Sequence, residues 1–248
     1  FRSEGLGALH ASGKGIGVAI LDSGIAELPD LKDRVQERVS TSPDLTGPVD
    51  WVGHGTHVAT IVAGDGESSQ GRFQGVAPQA HLVSVRVAAP EDAPVSVADR
   101  YAALIDGLDW AVENRHLYNI RVVNLSVGFP LVAHQDAQGK SLLLDPLDQA
   151  IERAHKAGLV MVAAAGNQGS APGSMSNTPA HHPKVITVGA SHPNGTPDFL
   201  GDDRVAEFSS RGPSAGKGRP DLLAPGVNIM GGNVAHSRAE RHNDQALD

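Results

Sequence analysis

The chain has 248 residues, a formal net charge of −8, 40% hydrophobic and 4% aromatic residues, and no cysteine. That length can bury a sizeable core without covalent staples, and the missing cysteines exclude disulfides, thiolate catalysis and cysteine-based zinc sites. The acidic balance, with no long basic run, argues against nucleic acid or an anionic membrane surface as the partner, and no segment approaches the ~20 apolar residues of a membrane span. In chain order, Ile16–Leu21 predicts a buried strand, and the stretch opened by His54 predicts a helix to about Ala63. His81–Val87 predicts a second strand. Val97–Asn114 predicts a helix with Tyr101, Leu104, Ile105, Leu108 and Val112 on one face. Ile120–Leu125 is a further strand, followed by the long connection Gly128–Leu144. The next helix has Asp145 as N-cap, Pro146 in its first turn, a stripe of Leu147, Ala150, Ile151 and Ala154, and Gly158 just past its end. Leu159–Ala164 and Lys184–Val188 are the last strands, short and rich in Val and Ile, as strands covered on both faces are. Ser40–Asp50 and His192–Asp203 are polar loops, and the chain after Gly232 is polar with no packing pattern.

Strand–helix alternation of this kind predicts an α/β fold with a doubly wound, mainly parallel sheet and helices on both faces. Ligands in such sheets sit at the carboxyl ends of the strands. Residues 1–248 are expected to form one domain.

Three motifs lie where such a site is expected. Asp22 ends the first strand and reads equally as a site carboxylate or a turn cap. His54 and His57, in Gly53-His54-Gly55-Thr56-His57, open a helix. A metal pair is one alternative there, but the glutamate and the i, i+4 spacing of a zinc-protease helix are missing; two structural histidines are another. The flanking glycines favour a crowded site where backbone approaches closely. Asn167, after Ala163-Ala164-Ala165-Gly166, follows another strand; it is an ordinary turn residue or a donor to a developing oxyanion. Gly13-Lys14-Gly15-Ile16-Gly17 precedes a strand instead of linking a strand to a helix, so it is a turn and not a phosphate loop.

Taken in order, Asp22, His54-Gly55-Thr56-His57, Ala164-Ala165-Gly166-Asn167 and Ala224-Pro225-Gly226 resemble the subtilisin-like serine proteases, the subtilases. Gly75-Val76-Ala77-Pro78, Asn124-Leu125-Ser126-Val127-Gly128 and Phe208-Ser209-Ser210-Arg211-Gly212-Pro213 extend the resemblance over essentially the whole chain. The resemblance implies a serine endopeptidase in which Asp22 supports His54, His54 is general base and acid, and Asn167 donates to the oxyanion. It implies that Ser126-Val127-Gly128 and Ala164-Ala165-Gly166 wall the pocket for the residue before the scissile bond, with a polypeptide substrate lying along Ser126–Gly128. The length of Pro130–Leu143 suggests that it shapes the groove nearby.

The family's nucleophile lies in a Gly-Thr-Ser-Met-Ala motif after Ala-Pro-Gly, and no such motif occurs between Gly226 and Asp248. The serine is therefore expected after Asp248, in a further segment or a complementary chain, and these residues alone are expected to be inactive. Gly173-Ser174-Met175-Ser176 is a decoy, because Pro179 and Pro183 forbid the helix that should follow. A catalytically dead peptide-binding module and one half of a split protease are the alternative readings. No cofactor is expected for the chemistry. Structural calcium is possible at Asp65 and Glu67, although a solvated loop explains those residues as well. The resemblance implies a secreted protein in mature or trimmed form; Phe1 opens the chain without a signal-peptide pattern.

Overall fold

Gly-Val-Ala-Ile-Leu-Asp makes a strand because aliphatic side chains on both of its faces find cover. This strand, β1 (Gly17–Asp22), is buried at every position. The computed structural model describes residues 11–44, 47–90, 92–130, 145–175, 177–196, 200–214 and 217–235. The chain divides into two units, Leu125–Ile229 and the segments on either side of it.

In the first unit β1 is joined by β2 (Val35–Ser40), β3 (His81–Arg86) and β4 (Ile120–Leu125) in the order β4-β1-β3-β2. β1 and β3 are parallel, with Asp22 opposite Arg86. β2 runs parallel to β3 with an irregularity between Val35 and Glu37. Helices α1 (His54–Ala63) and α2 (Val97–Asn114) pack on β1 and β3. Val18, Ile20 and Leu82 form a core with Ala59 and Ala63 of α1. Gly107 of α2 instead lies against Val85, Val87 and Leu21. Alternate strand residues point to opposite faces, so the two helices cover opposite sides of these strands. α2 has the bounds its pattern predicts. Its N-cap Ser96 accepts the Asp99 N–H at 3.1 Å, an ordinary N-cap bond, and its hydroxyl donates to the Asp99 carboxylate at 2.7 Å.

In the second unit β5 (Phe129–Pro130) pairs antiparallel with β7 (Asn177–Thr178). β6 (Val160–Ala164), β8 (Val185–His192) and β12 (Leu222–Pro225) are parallel in the order β12-β8-β6. β9 (Arg204–Val205) lies antiparallel to the end of β8. β10 (Gly212–Ser214) and β11 (Lys217–Arg219) form a hairpin. Helix α3 (Pro146–Lys156) packs on β6 and buries Leu147, Ala150, Ile151 and Ala154, the predicted stripe. Asp145 caps it by accepting the Leu147 N–H at 2.8 Å.

The result is a mainly parallel α/β fold of the doubly wound kind. Several details differ from the sequence reading, which ended the strands at Val188 and expected none of β5, β7 or β9–β12. β2 was not expected; its residues are half-exposed and polar, so no apolar alternation marks it. β8 runs on to His192, because the polar end of the strand still pairs with β12 and β9. Cover on both faces holds for β1 and β3 but not for β6, β8 and β12, where Val160, Ile186, Leu222 and Leu223 are exposed. Of the insertion Pro130–Leu143, all but Pro130 lies outside the described residues.

Candidate active site

A buried strand that ends in a carboxylate puts a charge at the rim of the sheet, where only specific hydrogen bonds make it tolerable. Asp22 ends β1 and is 2% exposed. Its Oδ1 accepts the Ser23 N–H at 2.7 Å and lies 2.7 Å from Nδ1 of His54, the first residue of α1. With Asp22 ionised, Nδ1 carries the proton and donates it, which leaves Nε2 as the basic nitrogen. The other edge of the ring is open, since 53% of the His54 side chain is exposed. The hydrogen bond to Asp22 raises the His54 pKa above its ordinary value; partial burial opposes this, and the charges of Asp22 and Asp50 add to it. The pair is thus an imidazole held in one tautomer and made more basic.

The geometry depends on how α1 starts. Gly53, at the N-cap, has φ 92° and no side chain to satisfy the free N–H groups of the first turn. Asp50 takes over that task. Its Oδ1 accepts the N–H groups of Val52 at 3.1 Å and Gly53 at 2.7 Å, and its Oδ2 accepts the Thr56 N–H at 2.9 Å and the Thr56 hydroxyl at 2.6 Å. Thr56 Oγ1 in turn accepts the Ala26 N–H at 2.9 Å, and Ser23 Oγ accepts the Gly55 N–H at 2.9 Å. Two side-chain bridges therefore fasten the start of α1 to the segment that follows Asp22. Gly24, at φ 113°, lets the Asp50 backbone approach; a Cβ there would sit 3.1 Å from the Asp50 nitrogen.

Arg86 anchors the loop that delivers Asp50. It ends β3, is 1% exposed, and grips both carboxylate oxygens of Asp44 while donating to the Gly47 carbonyl at 2.8 Å. Its own carbonyl accepts the N–H groups of Thr41 at 3.0 Å and Ser42 at 3.2 Å. In the segment read from sequence as a polar loop, Thr41, Ser42, Asp44, Gly47 and Asp50 are each held by hydrogen bonds.

The remaining expected site residues belong to the second unit. Ala164 ends β6 and is exposed, Ala165 is buried, and Asn167 is exposed. The chain on both sides of Asn167 is clamped to Phe208–Arg211. Ser210 N–H donates to the Gly166 carbonyl at 2.9 Å, Ser210 Oγ accepts the Gln168 N–H at 3.0 Å, and Gly169 N–H donates to the Phe208 carbonyl at 2.8 Å. Ser126 and Val127 are half-buried and Gly128 is exposed; they lead into β5, which pairs with β7. Asp22 and His54 are thus brought together in one unit, and Ser126–Gly128 and Ala164–Asn167 are carried by the other.

Asp50 and Ser23 were not singled out in the sequence, and Thr56 and Ser210 entered only as members of motifs, with no role given to either. A buried-site signal existed only for Asp50, as an acidic residue shortly before a helix start.

Ser174 is 5% exposed and donates to the Arg211 carbonyl at 3.0 Å, a structural hydroxyl. The His57 ring lies against Gly231. Among the described residues no three His, Cys, Asp or Glu side chains converge as a metal site. Asp65 Oδ1 accepts the Glu67 N–H at 2.9 Å, the contact of a local turn. No described helix is long and apolar enough to cross a membrane.

An Asp–His pair at the carboxyl end of a parallel strand, in a doubly wound fold, is an arrangement used by hydrolases with an activated hydroxyl nucleophile. The chain belongs to the subtilase family, whose sequence profile matches residues 13–247. It is 40% identical over 227 residues to the serine protease AprX of Bacillus subtilis (strain 168), covering 88% of this chain and 48% of that protein. It is 36% identical over 230 residues to subtilisin E of the same organism, covering 90% and 50% respectively. The chain spans about half the length of these curated relatives. Among solved structures it is similar to sphericase, with a TM-score of 0.72 and 26% identity over 91% of this chain and 71% of that one. It is also similar to the S41 psychrophilic protease, with a TM-score of 0.69 and 28% identity over 89% and 69%.

Proposed function

We propose that the protein is a serine endopeptidase in which Asp22 and His54 are two members of an Asp-His-Ser triad, with the serine in sequence that follows Asp248. The observation that carries this reading is the 2.7 Å Nδ1–Oδ1 pair at the end of β1, in a chain of the subtilase family. Nε2 of His54 removes the serine proton as Oγ attacks the scissile carbonyl carbon. The tetrahedral oxyanion is met by the Asn167 side-chain amide. Collapse breaks the C–N bond, and the imidazolium gives its proton to the leaving amine. Water then repeats the sequence on the acyl-enzyme, losing its proton to Nε2 and releasing the carboxylate. Asp22 stays ionised throughout and stabilises the imidazolium.

The substrate is a polypeptide. Its backbone lies along Ser126–Gly128 as an added strand, and the small residues Ala164, Ala165 and Gly166 line a roomy apolar pocket. The chemistry needs no cofactor. The exposed Val160, Ile186 and Leu222, which share one face of these strands, support a further covering segment, and a helix carrying the serine would bury them. By the same resemblance the protein acts outside the cytoplasm.

The test is a fluorophosphonate probe on the protein expressed from its complete reading frame, read by intact mass and peptide mapping. One adduct on a serine after Asp248, abolished in His54→Ala, is expected. A folded protein that takes up no adduct and cleaves no peptide would overturn the assignment and leave a peptide-binding module. An adduct found on a separate polypeptide that co-purifies would make it a split protease.

A further inference from the structure

Helix caps normally come from the N-cap side chain itself. In α1 that position is Gly53, so the cap is supplied by Asp50. A neutral residue could not replace it in kind. Both carboxylate oxygens accept, Oδ1 from two backbone N–H groups and Oδ2 from the backbone and hydroxyl of Thr56. An Asn offers a single acceptor oxygen, and its NH2 would face the Thr56 N–H. Asp50 is 1% exposed, and no Lys or Arg pairs with it among the described residues. A carboxylate neutralised only by dipoles, in a water-poor setting, keeps a field that reaches its neighbours.

We propose that Asp50 is a positioning residue for His54, holding the first turn of α1 so that Nδ1 meets Asp22 and setting a second buried negative charge near the imidazolium that forms when the ring takes a proton. This rests on the reading of His54 as general base. Of the two N–H groups on Oδ1, Asp50 holds more closely that of Gly53, the residue before His54, at 2.7 Å. Thr56, held by Oδ2, is also the residue that reaches Ala26 beyond the end of β1. Loss of the carboxylate therefore loosens the helix start on both sides of His54.

Other charges near α1 are committed elsewhere. The elements packed on it are β1, β3 and the single turn Pro29–Leu31. β1 contributes Asp22. β3 contributes His81, whose Nε2 meets the Tyr118 carbonyl, and Arg86, bound to Asp44. The single turn contributes Asp30, which accepts the Ser68 N–H at 3.3 Å. His57 lies on α1 itself. Of these groups only Asp22 joins Asp50 in raising the pKa of His54.

The test is Asp50→Asn in the protein expressed from its complete reading frame. The titration midpoint of His54 is read by NMR from its ring Cε1–H, and kcat and KM are read against pH. The midpoint is expected to move to lower pH, with kcat down about tenfold and KM within about twofold, as for an interaction felt mainly in the transition state. A midpoint that stays or rises overturns the proposal. So does a variant whose only change is a lower melting temperature, which would make Asp50 a structural cap. Thr56→Val keeps the charge but removes the hydroxyl that joins Asp50 to Ala26, so it is expected to lower the midpoint and kcat by less than Asp50→Asn does; a variant in which both are unchanged overturns the proposal even if Asp50→Asn does not fold. Because the NMR midpoint needs no turnover, a protein inactive toward peptides would sink the protease reading while the contribution of Asp50 is still measured.

Discussion

Gly55→Ala separates the two demands placed on the start of α1. In an open helix this change stabilises by up to about 1 kcal/mol, because alanine loses less conformational freedom than glycine. At Gly55 the new Cβ would overlap the Gly24 carbonyl oxygen and lie 3.1 Å from Asp22 Cβ and 3.2 Å from Asp22 Oδ1. None of these atoms is the free end of a flexible side chain, so the helix start must lift away from β1 by roughly 1 Å to restore ordinary contact. Overpacking of this kind costs about 1–3 kcal/mol, which outweighs the gain in propensity and leaves a net loss of ~0–2 kcal/mol. The displacement acts directly on the 2.7 Å His54–Asp22 contact and the 2.9 Å Gly55–Ser23 bridge. A shift of ~1 Å in a catalytic group costs about 100-fold in rate. The expected pattern is a modest fall in stability and a fall in kcat of about two orders of magnitude. Peptide-anilide hydrolysis and denaturant unfolding on the same preparation measure both. A variant more stable than wild type, with kcat within about threefold, would refute this reasoning, since α1 would then not be seated on β1 as closely as these distances require.

Asp22→Asn is expected to lower kcat by about 10⁴-fold, the loss that follows when a triad histidine is held in the wrong tautomer. It also removes the main cause of the raised His54 pKa. Activity needs the neutral ring, so the wild-type acid limb lies above the ordinary histidine value and moves to lower pH in the variant; an unmoved limb would contradict the assignment. The same raised pKa gives a stability contribution that is fully present below the unfolded-state value and is lost as pH rises through the folded-state value. Unfolding titrations of wild type and variant should differ in that window. Asn167→Ala is expected to cost about 10²–10³ in kcat at nearly constant KM, a magnitude that comes from subtilisin itself, to which this chain is related; a loss confined to KM would make Asn167 a ground-state contact. Asp44→Ala strips the buried Arg86 guanidinium of its partner and is expected to destabilise by about 3–5 kcal/mol in denaturant unfolding. A loss below about 1 kcal/mol would show that Arg86 finds water or other acceptors instead.

Segments whose stability is local were legible in the sequence. α2 runs over the expected Val97–Asn114 because its apolar stripe is unbroken and its cap, Ser96 with Asp99, is contiguous with it. α3 follows the same logic from Asp145 through its buried stripe. β1 was legible because every residue after Gly17 is aliphatic up to the carboxylate that ends it. β2 was not, since Val-Gln-Glu-Arg-Val-Ser carries only two apolar residues and owes its shape to backbone pairing with β3. The short β10 and β11 likewise depend on each other and on no pattern of their own. In the candidate site, Asp22 and His54 could be suggested by motif, but what holds them could not. Ser210 acts on the Asn167 loop from far along the chain, and Arg86 acts on the Ser40–Asp50 loop in the same way.

The His-Gly-Thr sequence of α1 follows from one packing problem. Nδ1 of the histidine can reach a carboxylate at the end of β1 only if the helix starts within van der Waals contact of that strand. That contact leaves no room for a Cβ at residue 55, hence glycine. A helix start so close to the sheet rim cannot satisfy its free N–H groups with water, so polar side chains must be buried with it. Ser23 serves Gly55, Asp50 serves Gly53 and Thr56, and the Thr56 hydroxyl joins Asp50 to Ala26. Each of these groups alone would be a costly burial, and together they satisfy one another. The cost of leaving any one of them unpaired is what makes the histidine's placement specific. Apolar packing could hold the helix against the sheet, but it would not fix the rotation about the helix axis that brings Nδ1 to within 2.7 Å of Asp22.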